Sequence, residues 1–228
     1  MIDIYYIVLV IPALLLGVWA QNRVNTAFST YSQVRAYRGY TGAMAAEQIL
    51  RENGVHDVRI ERIAGNLTDH FDPRSKVIRL SDSVFGSNSI AAIGVAAHEA
   101  GHAVQHAVGY FPIRIRNVFV PVANFGSRIS VPLIILGVLL SFQGLITIGI
   151  LLFSTVAIFQ LITLPVEFDA SRRALEVLAG TGLLEGEEID GARKVLSAAA
   201  MTYVAALISS VAQLLRLIGL YGNRRDRR

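Results

Sequence analysis

The sequence of 228 residues contains no cysteine, so no disulfide staples the fold and any metal site must be built from imidazole and carboxylate. Charge is scarce as well: Asp, Glu, Lys and Arg make up 17% of the chain, against 53% hydrophobic residues. That balance argues against an ordinary soluble domain and points to a membrane. The net charge of +4 is modest, and the basic residues lie mostly outside the apolar runs. This fits contact with a lipid surface better than a nucleic-acid-binding stripe, and no nucleic-acid motif is present. There is also no internal repeat and no low-complexity segment.

Three apolar runs are long enough to matter. Ile4 to Ala20 is uncharged and about as long as a bilayer core of roughly 30 Å requires. A secretory signal would carry positive charge before such a run, whereas here the only early charge is Asp3, so the run reads as an anchor. Ile129 to Val166 holds no charged residue over 38 positions. As one helix it would reach about 57 Å, too long for a single crossing. Ser141 to Gly144, SFQG, supplies a turn and predicts a two-helix hairpin whose first helix starts near Pro121. The last run, Val195 to Leu215, either spans or is re-entrant, and leads to Arg216 and a basic tail. Arg23, Arg35 and Arg38 follow the first run and no basic residue precedes it, which predicts an outside N-terminus and a cytoplasmic central region.

That central region has the composition of a soluble domain. TGAMAAEQILREN, from Thr41, has helical spacing, a capping threonine and Gly54 at the stop position. VRIERI and KVIRL alternate as strands, with the turn residues DPRS at 72 to 75 before the second. Ser87 to Ser89 offers caps for a helix running to about Val108, and its apolar residues on every side are those of a buried helix.

In that helix His98, Glu99 and His102 complete the pattern HExxH. Positions i and i+4 share one helix face, so two imidazoles can converge on one zinc ion. Glu99, about 100° around the helix, can then hold a water without being a ligand, which is what metal-assisted hydrolysis needs. The alternative is a pair of hydrogen-bonded core histidines beside a chance glutamate. A catalytic zinc needs a third protein ligand. His106 lies about 12 Å along the helix from His98, too far for the same ion, and reads as a supporting or structural histidine. Glu167, the first charge after the 38-residue run, is expected as the third ligand, because a hairpin returns it to the side where His98 lies. Its alternative role is an interfacial carboxylate paired with Arg172 or Arg173. His70 is expected in a solvated turn or strand, with a cleft-facing position as the alternative. Tyr203 is expected as a packed tyrosine, with donation to an oxyanion as the alternative.

TGAMAAEQIL, LTDHFDPRSKVIRLS, GVAAHEAGHAVQH, PVANFGSR, PVEFDASRRAL and TYVAA, spread from Thr41 to Ala206, together resemble the bacterial neutral zinc metallopeptidase family, the YugP-like membrane peptidases. More distantly the chain is similar to the integral-membrane gluzincins that include the CAAX prenyl proteases and the heat-shock-associated membrane peptidase. The resemblance implies a Zn2+ peptidase with His98, His102 and Glu167 as ligands and Glu99 as general base. In the distant relatives an aspartate four residues after the ligand glutamate supports the site. Ser171 stands there in this sequence, which leaves the support to its hydroxyl or to Asp169.

The expected fold is a mainly α membrane protein with a small β-sheet, a gluzincin-like HExxH core joined to three or four membrane helices. Its organisation is an anchor over 1–20, a cytoplasmic-side metallopeptidase core over 21–116 and a hairpin over 117–165. A third-ligand helix and loop then covers 166–194, an apolar helix 195–221 and a basic tail 222–228. The expected function is a multi-pass cell-membrane zinc metallopeptidase, its active site on the cytoplasmic side. Its expected partners are the lipid bilayer and a membrane-associated protein or peptide substrate, with no nucleic acid; the sequence does not set the oligomeric state. The alternatives are a non-catalytic adaptor stapled by zinc and a zinc hydrolase of a lipid or a non-peptide amide.

Overall fold

The computed structural model describes residues 3–222; the basic tail beyond Gly222 lies outside the described residues. The chain divides into two compact units. The first comprises Met1–Ala20, Arg114–Leu164 and Thr202–Arg228, the second Gln21–Ile113 and Pro165–Met201. In chain order the elements are a π-helical turn Tyr6–Val10, α1 Ile11–Ser32, α2 Gly42–Glu52, β1 Arg59–Ile63, β2 His70–Asp72 and β3 Val77–Ser81. They continue with α3 Asp82–Phe85, α4 Ile90–Ala107, α5 Phe111–Leu139, α6 Gln143–Gly180 and α7 Glu187–Tyr221.

In the second unit, local chemistry sets the helix ends. Thr41 Oγ1 accepts from the Met44 N–H at 3.3 Å to start α2, and Ser89 Oγ accepts from the Ala92 N–H at 3.2 Å to start α4. Gly54 and Gly109, with φ of 67° and 64°, take the left-handed positions just beyond these helices. The sheet has the order β1-β3-β2, with β1 parallel and β2 antiparallel to β3. The two strands expected from alternation are β1 and β3; the short β2, which carries His70, is an addition. Asp72 closes the turn between β2 and β3 by accepting from the Arg74 N–H at 3.0 Å and the Ser75 hydroxyl at 2.6 Å. Central β3 is buried at Val77, Ile78, Leu80 and Ser81. Its Ile78 and Leu80 join Ala45, Ala46, Ile49 and Leu50 of α2 in one core with α4.

Fourteen of the 18 residues of α4 are buried, and most of them are alanine or glycine. Small side chains let neighbouring helices approach closely. A Cβ at Gly101 would lie 2.6 Å from the Ala170 carbonyl oxygen of α6, so this contact admits only glycine. At Gly94 a Cβ would lie 3.6 Å from the Ala192 side chain of α7, an ordinary contact.

The first unit consists of long apolar helical segments whose outer surfaces carry exposed Leu15, Val118, Phe125, Leu139 and Leu161. The hairpin turn falls between Leu139 and Gln143, with Ser141 at φ 52°. Its first helix starts at Phe111 rather than near Pro121, because Pro121 and Pro132 are both accommodated inside α5. The second continues through Pro165 to Gly180 without a break, so Glu167 rides on the hairpin helix itself and not on a separate one. Arg216 donates to Asp3 Oδ2 from Nε at 2.9 Å and from a terminal guanidinium nitrogen at 2.7 Å, and it lies over the Tyr6 ring at 5.0 Å. Gln143 Nε2 donates to the Tyr221 carbonyl at 2.8 Å. These bonds place the start of the chain's helical region, the hairpin turn and the end of α7 at one end of this unit.

Among the described residues four helical stretches, Tyr6–Ser32, Phe111–Leu139, Gln143–Gly180 and Glu187–Tyr221, are long and apolar enough to cross a membrane. With the small sheet and the grouping of His98, His102 and Glu167, the architecture is mainly α and fits a gluzincin-like core.

The two glycines of α4 separate packing from propensity. Gly101→Ala should destabilise the protein by about 1–3 kcal/mol through overpacking. Gly94→Ala should be neutral or stabilising by up to about 1 kcal/mol. Thermal unfolding in detergent, followed by circular dichroism, should rank the melting temperatures Gly94→Ala, parent, Gly101→Ala.

Candidate metal centre

His98 and His102 sit one turn apart on α4, their rings edge to face with centroids 4.7 Å apart. Glu167 comes from α6 and is 1% exposed, the kind of burial a carboxylate tolerates only with compensating partners. Its Oε2 lies 3.2 Å from His98 Nε2 and 3.4 Å from His102 Nε2. Donors at about 2.0–2.1 Å from one tetrahedral ion are roughly 3.3–3.4 Å from each other. The observed spacings are therefore those of two edges of such a tetrahedron, and all three donor atoms lie within 4.8 Å of one another. Two imidazoles and a carboxylate are also a donor set suited to zinc.

Outer partners orient each ring. His98 Nδ1 lies 3.1 Å from Ser171 Oγ, and His102 Nδ1 lies 3.1 Å from Gln105 Oε1. Gln105 Nε2 donates to the Val166 carbonyl at 2.8 Å and to Asp169 Oδ2 at 2.9 Å. Asp169 in turn accepts from Arg173 Nε at 2.6 Å and from Arg172. Ser171 thus touches one histidine directly, and Asp169 reaches the other through Gln105. Burial alone would depress the pKa of His102, but the Glu167 carboxylate outweighs it and, without a metal, raises it above the ordinary imidazole range.

Glu99 is also buried, at 9% exposure. Among the described residues the two other candidate histidines do not join this group. His106 is exposed and packs edge to face on Phe71, with centroids 5.9 Å apart. His70 is exposed, with Nδ1 2.8 Å from the Thr68 carbonyl. Tyr203 belongs to the apolar unit, on α7. Gln105 did not emerge from the sequence pattern. The signal available for it was a lone amide on the apolar helix, three residues after His102, next to the more conspicuous His106.

The family described as "Putative neutral zinc metallopeptidase" matches residues 6–222. The chain belongs to this family. "Putative membrane protease YugP" of Bacillus subtilis (strain 168) is 48% identical over 221 residues, which cover 97% of this chain and 98% of the relative. No solved structure matches the chain. Family membership and the His–His–Glu grouping both imply zinc as the metal of this site.

Asp169 holds two arginines and the Gln105 amide, so neutralising it should loosen the site even without metal. Asp169→Asn should lower the stability of the metal-free protein by about 1–3 kcal/mol. A melting curve in the presence of chelator reads this, and an unchanged midpoint would show that these bonds contribute nothing.

Proposed function

We propose that this chain is a membrane zinc peptidase that hydrolyses peptide bonds of membrane-associated proteins on the cytoplasmic side of the cell membrane. The observation that carries this reading is the approach of Glu167 Oε2 to both histidine Nε2 atoms at 3.2 and 3.4 Å, with HExxH supplying Glu99 beside them. His98, His102 and Glu167 would hold the ion. Zinc, when bound, lowers the pKa of a water towards about 7 and polarises a carbonyl as a Lewis acid. Glu99 follows His98 directly and lies about 100° around the helix from it. Its carboxylate takes the proton of the attacking water and passes it to the departing amine nitrogen. The buried setting of the group limits bulk water and strengthens each of these electrostatic interactions.

Several observations support the rest of the reading. Arg23 within α1, and Arg35 and Arg38 beyond it, follow the apolar run Ile4 to Ala20, which favours the cytoplasm for the site. The bonds that join Asp3 to Arg216 and Gln143 to Tyr221 favour complete crossings by α1, the hairpin and α7. Among the described residues no fourth His, Asp or Glu joins the group of three. Structural zinc sites usually close with four protein ligands, so this arrangement favours an open coordination position over a zinc staple.

The decisive variant is Glu99→Gln. It should retain close to one zinc per chain by elemental analysis while cleavage of a protein substrate in proteoliposomes falls by at least about 100-fold, as loss of a general base requires. Undiminished cleavage would overturn the assignment of Glu99. Mass spectrometry of products from membrane extracts should show new peptide termini, whereas new lipid acids or other amines would favour the non-peptide alternative.

A further inference from the structure

Gln105 is fully buried on α4, where each polar atom of its amide must find a partner. Its Nε2 spends both N–H groups on acceptors, the Val166 carbonyl at 2.8 Å and Asp169 Oδ2 at 2.9 Å. Turning the amide over would set its oxygen against two other acceptors, so the orientation is dictated by its surroundings. Asp169 is itself held by Arg172 and Arg173, which keeps that acceptor in place. Gln105 Oε1 is then the atom left facing His102 Nδ1, at 3.1 Å, and an amide oxygen can only accept. His102 must therefore carry its proton on Nδ1. When the ring is neutral, as a metal ligand must be, its lone pair then falls on Nε2, the nitrogen that faces Glu167.

We infer that Gln105 is a positioning residue that locks His102 in the metal-binding tautomer and ties it to the turn of α6 carrying Glu167. The inference rests on the zinc site proposed above. Two features separate this device from the support of His98. The Ser171 hydroxyl, 3.1 Å from His98 Nδ1, can donate or accept, so it does not dictate a tautomer. Gln105 also links two elements: its amide joins α4 to the backbone at Val166, one residue before the ligand glutamate. Because the amide is neutral, it orients the ring without pushing negative charge onto it, as a carboxylate in that place would. The full charge of Asp169 is kept one bond further out and shared with two guanidinium groups.

The test uses the full-length chain in detergent with three readouts: zinc affinity by competition with a chelator, the visible d–d spectrum after cobalt substitution, and melting of the metal-free protein. Gln105→Met keeps the volume and removes every hydrogen bond; it should weaken zinc binding roughly 10–100-fold and change the cobalt spectrum. Gln105→Glu keeps an acceptor for His102 Nδ1 but loses both donations to α6. It should recover most of the zinc affinity and the parent-like cobalt spectrum, even if the metal-free protein melts earlier. Should Gln105→Met not fold, Gln105→Asn replaces it, because its shorter arm withdraws the acceptor from Nδ1 while remaining an amide. Equal loss of zinc in the acceptor-keeping and acceptor-removing variants would overturn the tautomer role and leave only packing. Parent-like zinc affinity in Gln105→Met would do the same. Absence of zinc binding by the parent chain would instead refute the metal site itself.

Discussion

A carboxylate buried to 1% exposure is the constraint around which the second unit is arranged. Removing Glu167 from water costs several kcal/mol unless opposite charge or hydrogen bonds compensate it. The compensation comes from a different helix, 69 residues away in sequence at His98. For the two helices to meet, α4 must present almost no side chain at the crossing. Gly101 against the Ala170 carbonyl meets that need, and the alanines around it extend the close contact. The glycine is unfavourable for helix propensity by about 1 kcal/mol, so its presence here is explained by approach distance and not by local structure.

The same reasoning explains why the polar groups form one connected set. Each histidine has two ring nitrogens, and pointing one at Glu167 leaves the other to be satisfied in a dry interior. Ser171 and Gln105 meet this demand, and Gln105 passes it on to Val166 and Asp169. Asp169 then needs positive charge, and Arg172 and Arg173 supply it from the more exposed side of α6. Burial decreases outward along this chain. The result is a site oriented by side chains from two rigid helices, which is the setting a metal ligand set needs to keep its geometry.

Much of this was legible along the chain. Capping residues located α2 and α4 because a cap acts over three residues. The hairpin followed from a length argument, since 38 uncharged residues exceed one bilayer crossing. HExxH placed two imidazoles on one face because helical periodicity is a local property. The hairpin brings Glu167 back to the two histidines, a grouping that the length argument already implies. The start of α5 is not legible, because Pro121 looks like a boundary in sequence although the helix accommodates it. Gln105 is not legible in the sequence, because a glutamine three residues after a histidine is uninformative until its other partners are known.

What the sequence by itself determined was therefore chemistry whose range is a turn of helix or the thickness of a bilayer. It set the absence of thiol ligands, the paired histidines with Glu99 beside them, the apolar stretches and the turn between α5 and α6. Tertiary structure decided the questions that depend on which groups share a small dry volume. These are the parallel pairing of β1 with β3, the unbroken course of α6 through Pro165, the exposure of His106, and the division of labour in which Ser171 supports His98 while Gln105 supports His102. The physical reason is that hydrogen bonding in a buried site is a closed account, in which each donor is assigned only after every neighbouring acceptor has been placed.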